Sequence, residues 1–237
     1  MPKDNLKMIL EPKNATETTV DFYIYGDIVS SEYQAYKDGD AFPSAIKGMV
    51  DYAGGRDINL YINSGGGSVF AGMAIGTMLK RYEGKTRAYI DGVCASIATI
   101  IALSCDEVYI AEGALWMHHQ AWGEFYLKGN ANAIMEKADE HAAMLKAIND
   151  SMLSVYASKL AEGADIEKVR GELDSGKDKW LTSEEAIAYF NIQKVAGKEA
   201  VAYCESDFIA IPKGEATGKT KKIESEDDEM VISFEWL

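Results

Sequence analysis

Ile58-Asn-Leu-Tyr-Ile-Asn-Ser-Gly-Gly-Gly-Ser-Val69 decides the fold. Its first five residues, Ile58 to Ile62, are β-rich, and the run Asn63-Ser-Gly-Gly-Gly67 stops them. A helical stretch follows from Val69 to Tyr82, where Val69, Met73, Ile75, Gly76 and Leu79 form a stripe. The same punctuation recurs outward in both directions. Thr19 to Tyr25 stops at Gly26-Asp27, and Thr86-Arg-Ala-Tyr-Ile90 stops at Asp91-Gly92. A helix is expected from Ala41 to Tyr52, and Glu107 to Ala111 and Ala114 to His118 read as two more short strands. Strand and helix in alternation predict an α/β fold with a largely parallel sheet. Function in such folds collects at the carboxyl ends of the strands, where the glycine run and the Asp-Gly turn fall.

Composition narrows what the fold can do. With 237 residues and four prolines, the chain suits one domain of ordinary size with an appendage. No apolar run reaches the roughly 18 residues of a membrane span; the longest, Ile97 to Leu103, is core-sized. The amino-terminal Met-Pro-Lys-Asp-Asn-Leu-Lys has no apolar export region, so a cytoplasmic protein is expected. A net charge of −14 argues against nucleic acid, which needs a basic face. Residues 1–204 read as the domain and 205–237 as an acidic tail, with nine acidic residues against four lysines from Glu205 to Leu237. Within it, Met230 to Leu237 is apolar again and reads as a docking peptide or a frayed end. Cys94, Cys105 and Cys204 have no CxxC spacing and read as reduced, buried thiols. The glycine run lacks both the P-loop lysine and the GxGxxG spacing, and neither HExxH nor an acidic ligand cluster is present. No cofactor or metal is expected.

The chemistry-bearing stretch is Asp91-Gly-Val-Cys-Ala-Ser-Ile-Ala-Thr-Ile-Ile-Ala-Leu-Ser104, followed by Trp116-Met-His-His-Gln120. Ser96 stands at the start of an apolar segment, where free backbone N–H groups and a partial positive charge favour a developing anion. The plainer alternative is that Ser96 only caps a helix. His118 and His119 are adjacent in a strand-like segment, so they point to opposite faces and only one can serve a cleft. His141 falls in a helical stripe from Asn132 to Leu160 that also contains Ile134, Ala138, Leu145, Ile148, Met152 and Val155. Such a helix spans roughly 45 Å, so it is expected to project from the core or meet a partner helix, with subunit contact favoured over packing within the chain.

Four motifs in order carry a resemblance. Tyr61-Ile-Asn-Ser-Gly-Gly-Gly-Ser-Val-Phe-Ala-Gly-Met-Ala-Ile75, Asp91-Gly-Val-Cys-Ala-Ser-Ile-Ala98, Met117-His-His-Gln120 and Trp180-Leu-Thr-Ser-Glu-Glu-Ala186 resemble the Clp protease proteolytic subunit family. Tyr25-Gly-Asp-Ile28 and the Asp91-Gly-Val turn are similar to Clp-like head maturation proteases of phages and prophages. The resemblance implies a Clp protease/crotonase-like α/β fold of repeated β-β-α units, with the stretch 132–160 as a projecting handle helix. It implies a serine endopeptidase with Ser96 as nucleophile, His119 as general base and Asp178 as acid, Asp174 being the rival. The backbone N–H groups of Gly67 and Ile97 match the oxyanion hole, with Gly65, Gly66 and Gln120 beside the polypeptide substrate. It further implies a homo-oligomer, a heptameric ring or stacked rings, with an AAA+ unfoldase or phage capsid proteins as partners. The sequence departs from the family at Gly65 and Ala121, where proline is usual. Alternatives from other classes are a crotonase-like acyl-CoA enzyme and an inactive or self-processing scaffold of phage assembly.

Overall fold

A computed structural model describes residues 12–195, Asp38 excepted. Readings that fall on 1–11 and 196–237, including Cys204 and the acidic tail, lie outside the described residues. Seven strands form one sheet. Strands β1 (Thr19–Ile24), β2 (Asp57–Ser64), β3 (Thr86–Ala95), β4 (Glu107–Ile110) and β7 (Gln193–Lys194) run parallel in that order. Strand β5 (Leu115–His118) leaves this row and pairs parallel with the far end of β3; β6 (Lys179–Thr182) pairs antiparallel with β5. The helices are α1 (Pro43–Ala53), α2 (Val69–Lys80), α3 (Ile97–Leu103), α4 (Ala131–Ala157), α5 (Ile166–Asp174) and α6 (Ser183–Tyr189). The sequence left α5, β6 and α6 undrawn, apart from the motif at Trp180.

Period-two alternation sets the two faces of the sheet. Val20, Phe22 and Ile24 on β1, Ile58, Leu60 and Ile62 on β2, and Ala88 and Ile90 on β3 are buried in one core cluster with residues of α1, α2 and α3. The opposite face carries two registered rows, Asp21, Asn59, Arg87 and Glu107, then Tyr23, Tyr61, Tyr89 and Tyr109. The four tyrosine rings stack at 4.8, 5.1 and 5.0 Å between centroids, close to the strand spacing itself.

Strand β3 corrects one expectation. Asp91-Gly92 reads as a stop, yet the strand continues to Ala95. The register slips there, from Ile62↔Ile90 to Ser64↔Cys94, so β3 accommodates two extra residues. A side chain repairs the ladder: Asn63 Oδ1 accepts the Val93 N–H at 3.0 Å. Gly92 makes room for it, since a Cβ there would stand 2.6 Å from that oxygen. The extension gives β5 an edge to pair with and carries the chain to Ser96.

Helix α2 is held close to α3 by Gly72, where a Cβ would stand 2.2 Å from the Ile97 side chain. All seven residues of α3 are buried. Helix α4 divides into halves. Ile148, Met152, Leu153 and Tyr156 are buried in its second half, whereas Ile134, Met135 and Met144 are exposed in its first. The expected outward projection therefore applies to that first half alone. There His141 stacks on Phe125 with ring centroids 3.9 Å apart.

Candidate active site

Ser96 is the single residue between β3 and α3. Its backbone sits at φ 54° and ψ −130°, a region that L-residues avoid. Three bonds hold it there: its N–H donates to Met117 O at 2.9 Å, and its carbonyl accepts the Thr99 N–H at 3.0 Å and the Thr99 hydroxyl at 2.5 Å. Its side chain makes no capping bond to α3. Instead Oγ lies 2.7 Å from His119 Nε2, so the cap alternative does not describe the side chain's contact.

His119 directly follows β5, and its Nδ1 lies 3.1 Å from Asp178 Oδ1. Asp178 directly precedes β6, and the β5–β6 ladder pairs His118 with Lys179, so the sheet itself brings histidine and aspartate together. The imidazole is mostly shielded, whereas the Asp178 side chain is 56% exposed. Asp174 ends α5 in an exposed position, and the Nδ1 bond goes to Asp178. His118 points the other way, as the alternation predicts, and is fully buried. Its Nε2 lies 2.9 Å from Glu172 Oε2. Burial pushes its pKa below the ordinary imidazole value, with Glu172 opposing that shift.

The glycine loop passes beside Ser96. A Cβ on Gly66 would stand 2.7 Å from Ser96 Cβ, and one on Gly67 would stand 2.2 Å from Ile28 O. Both glycines have positive φ, 100° and 140°. The loop is zipped to the 27–29 segment: Ile28 N–H donates to Gly66 O at 2.8 Å and Ser68 N–H to Ile28 O at 2.6 Å. These bonds flank Gly67, so its own N–H points away from that ladder. The Ile97 N–H, first of its helix, has no intrahelical acceptor. Gly65 faces open space. The Gln120 amide lies against Gly176, in the turn before Asp178, and thus on the Asp178 side of the site.

Two contributors have no sequence signature. Ile28 fixes the glycine loop through its backbone alone, and the loop around it is organised by Asp40. That buried carboxylate accepts N–H bonds from Asp27, Tyr36 and Lys37 at 2.9, 2.9 and 3.0 Å. Glu172 reaches His118 across 54 residues of chain, a separation at which periodicity is silent. Cys94 and Cys105 are buried free thiols, and burial pushes Cys105 up to about 12. Among the described residues, no group of His, Cys, Asp and Glu is arranged to hold a metal, and no helix is long and apolar enough to cross a membrane.

The sequence model described as Clp protease matches residues 50–199. An ATP-dependent Clp protease proteolytic subunit of Streptococcus thermophilus (strain ATCC BAA-491 / LMD-9) is 32% identical over 142 residues, 59% of this chain and 68% of that one. The subunit of the same description from Streptococcus salivarius is also 32% identical, over the same shares of both chains. Among solved structures, a ClpP1 mutant from Listeria monocytogenes superposes with a TM-score of 0.58 at 20% identity, covering 75% of this chain and 92% of that one.

Proposed function

The chain belongs to the Clp protease family and is a serine-type peptidase, and we propose that it cleaves peptide bonds through Ser96, His119 and Asp178. The observation that supports this most is the continuous chain from Ser96 Oγ to His119 Nε2 at 2.7 Å and from His119 Nδ1 to Asp178 Oδ1 at 3.1 Å. Asp178 accepts a hydrogen bond from Nδ1–H, which holds the proton on Nδ1 and leaves Nε2 free to act as a base. Ser96 Oγ attacks the scissile carbonyl carbon while Nε2 takes its proton. The imidazolium then protonates the leaving amine, and an acyl-enzyme on Ser96 remains. Water, deprotonated by the same nitrogen, attacks the acyl carbon, and the imidazolium returns its proton to Ser96 Oγ as the ester bond breaks and the acid leaves. Gly67 and Ile97 N–H groups receive the oxyanion, and the strained Ser96 backbone keeps Oγ clear of its own helix. The substrate lies extended beside Gly65 and Gly66, with Gln120 on the acid's side.

Around this site we place a cytoplasmic ring-shaped homo-oligomer, heptameric or stacked, in which the exposed first half of α4 meets a second copy. Its candidate partners are an AAA+ unfoldase or phage capsid proteins, with phage or prophage head maturation as the setting. The test is Ser96→Ala, assayed on casein and with a fluorophosphonate probe: loss of both cleavage and labelling is expected, and retention of both would remove Ser96 from the role. An acyl-CoA enzyme of the same fold is distinguished by a thermal-shift screen with CoA esters, in which no shift is expected.

A further inference from the structure

Glu172 occupies an unusual place behind the site. Its Oε2 lies 2.9 Å from His118 Nε2, and its Oε1 lies 2.7 Å from Tyr189 OH and 3.8 Å from Lys179 Nζ. One carboxylate on α5 thus ties together β5, β6 and α6. Two of its three partners are the chain neighbours of the reacting pair: His118 precedes His119, and Lys179 follows Asp178.

The direction of each bond is set by its surroundings. The rings of Tyr156, Tyr189 and Phe190 lie 5.8, 6.1 and 6.0 Å from the His118 imidazole, and the buried Nδ1 has no hydrogen-bond partner. A proton on Nδ1 would be orphaned, so His118 donates from Nε2, and Tyr189 donates its hydroxyl proton. The Glu172 side chain is only 19% exposed. Asp178, by contrast, stands in solvent, with His119 as its hydrogen-bond partner among the described residues. Its orientation must come from where the backbone of the 175–179 segment is held; Glu172, three residues before that segment, accepts the Ser175 hydroxyl on its carbonyl at 2.6 Å and pairs through its carboxylate with Lys179 at the far end.

We propose that Glu172 is a positioning residue for the peptidase reaction: its carboxylate fixes the spacing between the backbones that carry His119 and Asp178. This rests on the assignment of those two residues as base and acid. Glutamine in its place keeps the shape but offers one accepting atom where the carboxylate offers two, must reverse the bond to Tyr189, and has no charge for Lys179. The histidine–aspartate geometry then loosens, which affects the chemical step rather than peptide binding.

The experiment is a double-mutant cycle on a fluorogenic peptide, with the melting temperature of each variant recorded. Glu172→Gln is expected to lower kcat about tenfold with KM within about twofold, and to cost less than about twofold in an Asp178→Asn background, where there is no longer an acid to aim. An equal loss in both backgrounds, a rise in KM that accounts for the loss, or no loss at all would each overturn the proposal. If Glu172→Gln does not yield folded protein, Tyr189→Phe, which deletes a single donor and keeps the ring, goes through the same cycle under the same criteria. Asp178→Asn alone tests the underlying assignment: wild-type kcat in that variant would refute Asp178 as the acid, whatever Glu172 does.

Discussion

The Ser96 hydroxyl can be removed in two ways that differ in one respect, and the comparison measures the backbone strain at that residue. Ser96→Ala and Ser96→Gly both delete Oγ, and with it a hydrogen bond to His119 worth about 0.5–1.5 kcal/mol. Alanine keeps a Cβ at φ 54° and ψ −130°; glycine does not. Holding an L-residue in such a region costs about 1–3 kcal/mol. Against that relief, glycine enlarges the unfolded ensemble, at about 0.4–1 kcal/mol. The glycine variant is therefore expected to be the more stable of the two by about 1–2 kcal/mol, or about 2–8 °C in Tm for a domain of this size. Differential scanning calorimetry of both variants, at one concentration and pH, reads this directly. A glycine variant that melts at or below the alanine variant would refute the claim that strain is stored at Ser96.

Three further outcomes follow from the geometry. Among the loop glycines, Gly65→Ala should leave the melting temperature of the free protein unchanged because a Cβ there meets nothing, whereas Gly66→Ala and Gly67→Ala should each lose about 100-fold or more in peptide hydrolysis, the scale of a lost oxyanion donor. Gly72→Ala should cost about 1–3 kcal/mol in denaturant titration, since its methyl group drives into the Ile97 side chain and α2 must move off α3. The third concerns pH. Burial holds the His118 pKa below 6.5, with Glu172 pulling the other way and Lys179 and His119 adding to the depression, so the unfolded chain binds the proton more readily than the folded one. Stability from this group is present above about pH 6.5 and is lost as pH falls below it; in His118→Gln, the plot of Tm against pH should be flatter between about 6.5 and 5.

How much was legible in the sequence depended on the range of the signal. Strands β1, β2 and β4 and helix α2 announced themselves by period and punctuation, because their alternation and their glycine stops are local facts. The serine at the head of α3 and the opposed faces of His118 and His119 were local too. Asp91-Gly92 misled because glycine marks an irregularity in a strand as readily as its end, and only the Asn63 side chain on the neighbouring strand decides between them. Asp178 came from a resemblance: nothing within a few residues of it marks it over Asp174, and β6 pairs it to His119 across 59 residues. Glu172 and Ile28 were invisible, since one acts through a buried network and the other through its backbone.

The stacked tyrosines give the sheet an alkaline limit. Burial raises the Tyr61 phenol well above its ordinary value of 10.0, with Asp21, Asp91 and the phenols of Tyr23 and Tyr89 raising it further; burial likewise leads the rise at Tyr23 and Tyr109. A folded state that binds these protons more tightly than the unfolded chain keeps its advantage below pH 10 and gives it up as base removes them. Each phenolate formed would face its neighbour's ring about 5 Å away, across strands that no turn connects. In strong base, the order β1-β2-β3-β4 should come apart from its tyrosine side, ahead of the buried aliphatic layer beneath it.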